Sequence, residues 1–134
     1  VIDAQAMAEP LVLGRDVTVL MLNRMEVFIA EVISNNLDNV YNDKAKYGGE
    51  SRFIKTYPHE ESVIKTYCQV VYDELRLRGP IRIDGRLTDK FIFLEVNTQL
   101  RLTSDGTAGK AWVVNNPKEP YVNLIRRIME LNAN

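Results

Sequence analysis

Gly79-Pro80-Ile81-Arg82-Ile83-Asp84-Gly85-Arg86-Leu87-Thr88-Asp89-Lys90-Phe91-Ile92-Phe93-Leu94-Glu95-Val96-Asn97-Thr98 is the segment around which the rest of the chain is organised. Alternating residues flank the polar turn Thr88-Asp89, the pattern of a β-hairpin. Every second side chain of a strand lies on one face. The first run therefore sets Arg82, Asp84 and Arg86 against Ile81, Ile83 and Leu87. In the second run Phe91, Phe93, Glu95 and Asn97 share a face, with Ile92, Leu94 and Val96 opposite. A loop of two or of four residues brings Arg82, Asp84, Glu95 and Asn97 together, over an aliphatic layer interrupted only at Gly85. Taken alone, an alternating hairpin more often turns such a polar face to water.

Length and composition bound what this hairpin can belong to. At 134 residues the chain is one domain of ordinary size, and 46% hydrophobic with 26% charged residues is the balance of a globular protein. A formal net charge of −1 gives no electrostatic reason to expect nucleic acid or anionic lipid as a partner. No apolar run reaches the length of a membrane span. The single Cys68 excludes an internal disulfide and a cysteine-built zinc site, and it suits a reducing compartment, so a cytoplasmic location is expected. A start at Val1 within an extended-looking segment suggests a fragment of a larger protein, with residues 1–134 as a single domain.

Outward from the hairpin, the expected class is α+β, a mainly antiparallel sheet flanked by helices. Pro10 pushes Glu9 toward an extended conformation, and Gly14-Arg15-Asp16 is a turn signal after Leu11-Val12-Leu13. Residues 17–22 and 25–33 read as a second hairpin around Asn23-Arg24, with a helix as the rival reading. Residues 34–52 form a long polar segment with Gly48-Gly49, the length of loop that is functional or disordered. Residues 53–57 read as a short strand. A helix opens at Pro58 with Glu60 and Glu61 in its first turn and closes at Arg76, Arg78 and Gly79. Its inward stripe is Ile64, Cys68, Val71 and Leu75, joined by Tyr67 and Val70. Cys68 on that stripe reads as a buried apolar residue, and His59 as a helix-entry residue. After a polar stretch over residues 99–110, Trp112 reads as a core anchor. Residues 119–131 form a closing helix with Val122, Ile125 and Met129 on one line and Leu124, Ile128 and Leu131 beside it.

Asp84, Glu95 and Asn97 are hard oxygen donors, the set that Mg²⁺ bridging phosphates prefers. Lys44 and Lys46 lie in the long segment, suited to closing over a phosphate. The extended backbone of residues 9–16 could hydrogen-bond a flat base, with an acid following. Arg82, two residues before Asp84, would hold developing negative charge beside the metal. The plainer alternative makes the lysines solubility residues and Arg82 a salt-bridge partner of Glu95.

These pieces, taken in order, resemble the C-terminal half of the ATP-grasp fold, most closely the D-alanine–D-alanine ligase family. The matching blocks are residues 9–19, residues 40–47, Arg82-Ile83-Asp84 and Leu94-Glu95-Val96-Asn97-Thr98. The resemblance implies that Glu9 and Val12 hold adenine and that Asp16 binds the ribose hydroxyls. It implies that Lys46 reaches the nucleotide phosphates, that Asp84, Glu95 and Asn97 bind two Mg²⁺ ions, and that Arg82 is catalytic. The implied reaction phosphorylates a substrate carboxylate from ATP, after which an amine attacks the acyl phosphate. Implied partners are ATP, small amino-acid or carboxylate substrates, and the N-terminal and central regions of a parent chain, without which the fragment is expected to be inactive. Residues 99–106 depart from the family: Arg101 replaces a glycine beside the oxyanion, and Gly106 replaces a serine. A degenerate module that binds nucleotide or protein without ligase chemistry is the alternative.

Overall fold

Among the described residues, five strands pair antiparallel in the order β3-β2-β1-β4-β5, and the sheet is sandwiched between one helix and a helix pair. The computed structural model describes residues 8, 10–34 and 51–133. The strands are β1 (Arg15–Met21), β2 (Val27–Ser34), β3 (Ser51–Lys55), β4 (Ile81–Leu87) and β5 (Phe91–Asn97). The helices among the described residues are α1 (Pro58–Glu74), α2 (Thr107–Asn115) and α3 (Val122–Asn132). This is the expected α+β arrangement. Among the described residues, no helix is long and apolar enough to cross a membrane.

Period-two alternation in β1 sends its apolar side chains to two separate cores. Val17, Val19 and Met21 join Ile81, Ile83, Leu87 and Phe91 under α1. Leu20 and Leu22 join Ala30, Ala108, Ala111, Trp112 and Leu124 under α2 and α3. Burial on both faces explains why residues 19–22 are apolar without a break. The residues read as a second hairpin do form one, pairing Met21 with Val27. Its turn is wider than Asn23-Arg24, because Asn23 Oδ1 accepts from the backbone N–H of Met25 (2.8 Å) and Glu26 (2.9 Å). Such an Asx turn closes the chain before the strand can begin. At its other end β1 starts at Arg15, so Arg15 and Asp16 are strand residues and not turn residues. They pair with Leu87 and Arg86.

α1 opens at Pro58 as expected, with Tyr57 stacked on His59 just outside and at its entry. It ends at Glu74, short of Arg76 and Arg78. Arg76 adopts φ +50°, its N–H bonds to Asp73 O (3.0 Å), and the N–H of Leu77 bonds back to Tyr72 O (2.9 Å). That is the Schellman stop, with an arginine where glycine is usual and Leu77 folded onto the core. The inward stripe is Ile64, Cys68, Val71 and Tyr72, whereas Tyr67, Val70 and Leu75 are exposed. Early termination and the actual helical phase turn those three outward.

Thr107–Asn115 is helical, beginning within the polar stretch over residues 99–110, and Trp112 is the core anchor expected, edge-on to Phe28 at 4.9 Å. Asn115 Nδ2 ties α2 to Ile29 O of β2 at 2.8 Å. In α3 the buried line is Leu124, Ile128 and Leu131, while Val122 and Met129 face outward.

Candidate functional site

The β4–β5 hairpin reaches the expected grouping by a different route. Its connection has three residues, 88–90, with Leu87 opposite Phe91 and Arg86 opposite Ile92. Continued regularly, that register would place Glu95 and Asn97 on the face away from Asp84. A β-bulge intervenes. Gly85 pairs with Phe93 but Asp84 pairs with Glu95, so Leu94 is the extra residue. Beyond it Arg82 stands opposite Asn97, and all four polar side chains share a face. Phe91, on the other side of the bulge, therefore points into the α1 core and not alongside Glu95. Its ring covers Gly85, filling the gap in the aliphatic layer.

At the centre of the site, Asp84 collects hydrogen bonds from three strands. Thr18 Oγ1 of β1 donates to Oδ1 at 2.7 Å. Arg82 Nε donates to Oδ1 (3.1 Å) and Oδ2 (2.9 Å), and its Nη2 to Oδ2 at 2.7 Å. Asn97 Nδ2 of β5 reaches Oδ2 at 3.4 Å and Glu95 Oε1 at 3.0 Å. Arg82 lies closer to Asp84 than to Glu95, which it approaches at 3.7 Å. Burial pushes the Asp84 carboxyl above its ordinary pKa, against the pull of Arg82 and Thr18, and the neighbouring Glu95 adds to the rise. Two carboxylates facing one guanidinium leave one negative charge in excess.

The donor set fits a hard cation: two carboxylates and a carboxamide, partly exposed, held by backbone in register. Among the described residues, no three His, Cys, Asp or Glu side chains come together, so the third oxygen is that of Asn97. Mg²⁺ would be held by Asp84, Glu95 and Asn97, with waters and phosphate oxygens completing its shell.

Asp16 lies two residues along β1 from Thr18, on the same face, opposite Arg86. Its carboxylate is held by Arg86 Nε at 2.9 Å, and Arg86, nearly fully buried, also donates to Gly14 O at 3.1 Å. Val12 is half-buried in the extended segment leading to β1. Glu9 and Lys46 lie outside the described residues. Sequence reasoning passed over Thr18 and Arg86. Their signal was present: a Thr in register with Asp16 and flanked by Val17 and Val19, and an Arg in register with Asp84.

The sequence model of the family described as D-ala D-ala ligase C-terminus matches residues 1–130. A search of curated protein sequences finds no match. Among solved structures, D-alanine–D-alanine ligase from Bacillus anthracis complexed with ATP aligns at a TM-score of 0.69 and 16% identity, covering 90% of this chain and 38% of that one. A second structure of the Bacillus anthracis enzyme aligns at 0.68 and 17%, covering 92% and 41%. D-alanyl-alanine synthetase A from Vibrio cholerae aligns at 0.64 and 20%, covering 92% and 40%. This chain thus spans about two fifths of the length of the enzymes it matches. At these identities the structural likeness speaks for the fold. With the family match running nearly end to end, the chain is a C-terminal ATP-grasp domain and belongs to the D-ala D-ala ligase C-terminus family.

Proposed function

We propose that this chain supplies the metal platform and part of the nucleotide site of an ATP- and Mg²⁺-dependent carboxylate–amine ligase. The observation that carries the reading is the gathering of Arg82, Asp84, Glu95 and Asn97 on one sheet face, with one negative charge in excess. Such a face attracts cations and, through them, phosphates.

In this reading Asp84, Glu95 and Asn97 bind the metal, and Arg82 is the catalytic arginine. Bound Mg²⁺ would neutralise charge on the phosphoryl group transferred to the substrate carboxylate. Arg82 has five N–H donors in a fixed fork, so it can hold Asp84 and still face a developing oxyanion. Asn97 orients Glu95 through its amide N–H. Glu9 and Val12 at adenine, Asp16 at ribose and Lys46 at phosphate complete the proposed nucleotide contacts, with Arg86 fixing the Asp16 carboxylate.

The test is ADP formation by the full-length protein, supplied with Mg²⁺, ATP and a panel of amino acids. Amino-acid-dependent ADP release is expected, and Glu95→Gln should lower kcat by about 100-fold or more, the scale of losing a preorganised electrostatic group. The 134-residue chain alone should show no such turnover. A module without ligase chemistry is the second reading, favoured by Arg101, whose guanidinium is engaged by Asp105 at 3.3 Å within the departing segment. A full-length protein that binds ATP but releases no ADP or phosphate with any amino acid would establish it.

A further inference from the structure

The geometry points to Thr18 as a positioning residue for the metal platform, acting through Asp84; this rests on the functional reading above. Thr18 is 2% exposed in the middle of β1. Across the sheet it stands between Ala30 of β2 and Asp84 of β4. Leu20, next on its face, belongs to the apolar core under α2 and α3. A hydroxyl buried there costs free energy unless it is hydrogen-bonded. A valine would suit the strand and the core equally well in shape.

The hydroxyl finds its acceptor in Asp84 Oδ1, at 2.7 Å. The last torsion of an aspartate is broad and poorly defined by itself. Thr18 pins it from β1, while Arg82 grips it from β4. With Oδ1 engaged by Thr18, Oδ2 is the oxygen turned toward Asn97, at 3.4 Å, and so toward the Glu95 side. Thr18, against the two-oxygen grip of Arg82, thereby helps fix which oxygen of Asp84 a cation meets and keeps it aimed at the other two donors. Outer hydrogen-bond partners of metal-binding carboxylates have this role generally.

The experiment titrates Mn²⁺ alone into the full-length protein and follows loss of the free-ion EPR signal, with thermal unfolding recorded in parallel. Thr18→Val should weaken Mn²⁺ binding about 10- to 100-fold, and Thr18→Ser should restore it to within about threefold of wild type. Restoration by serine separates positioning from mere packing, since serine lacks the methyl group but keeps the donor. Thr18→Ala carries the same expectation as Thr18→Val should the latter fail to fold. Wild-type affinity in Thr18→Val or Thr18→Ala overturns the inference, as does a Thr18→Ser protein that remains weak. A wild-type protein that binds no Mn²⁺ overturns the functional reading itself, and this inference with it.

Discussion

Gly85→Ala probes the contact that accompanies the register shift between β4 and β5. A Cβ added there would lie 2.4 Å from Phe91 Cζ, 2.6 Å from Phe91 Cε2 and 2.6 Å from Ile92 O. Each distance is about 1 Å inside ordinary contact. The ring can yield only by disturbing the α1 core, since Phe91 is buried. Ile92 O is backbone, so β5 itself must also move. Overpacking of this kind costs about 1–3 kcal/mol, and two independent obstructions place Gly85→Ala in the upper half of that range. Alanine loses less backbone entropy than glycine on folding, which offsets about 0.5–1 kcal/mol. The net expectation is a destabilisation of about 1–2.5 kcal/mol, read as a lower urea midpoint with an unchanged slope.

A double-mutant cycle with Phe91→Leu sharpens the test. Removing the ring edge should reduce the Gly85→Ala penalty by about 1 kcal/mol, leaving the share due to Ile92 O. A Gly85→Ala protein within about 0.5 kcal/mol of wild type would refute the packing account. A penalty unchanged in the Phe91→Leu background would show that the ring is not what excludes the methyl group. Because Gly85 adjoins the bulge, Mn²⁺ binding should weaken in Gly85→Ala as well, through displacement of Glu95.

Other consequences follow from the same geometry. Arg86→Leu leaves the Asp16 carboxylate without its close ion-pair partner in a largely buried place and should cost about 3–5 kcal/mol in urea unfolding; Asp16→Asn in the same chain should recover part of it. Arg76→Gly, at the helix stop with φ +50°, should raise stability by about 0.5–1 kcal/mol, and a lower melting temperature would contradict the assigned backbone strain. Burial pushes the Cys68 thiol from 9.0 up to about 12. Between those values it is neutral when folded and ionised when unfolded, so stability present below pH 9 is lost as pH rises, by about 1.4 kcal/mol per unit. The native protein should resist thiol reagents at pH 8, and Cys68→Ala should show a shallower alkaline loss; equal slopes would count against the burial.

Much of the fold and of the candidate site is local in origin and legible in sequence. Strand alternation in Arg82-Ile83-Asp84 and in Glu95-Val96-Asn97 assigns each side chain a face, because the period of a strand is a covalent property. Donor chemistry follows from residue type, so a candidate cation site could be named before any fold was known. Pro58 with Glu60 and Glu61 marks a helix start in the same local way. The tertiary structure decided how the two runs meet. A three-residue connection would have separated Glu95 from Asp84, and only the bulge at Leu94 rejoins them. Nothing in the alternation itself encodes that bulge; a buried Phe91 ring seated over Gly85 accompanies it, and that is a packing outcome. The outward turn of Tyr67, Val70 and Leu75, and the partnership of Thr18 with Asp84, are decided in the same way. Which polar group on β1 meets which carboxylate on β4 depends on register between strands 66 residues apart. The sequence of either strand alone determines the faces, and only their pairing determines the site.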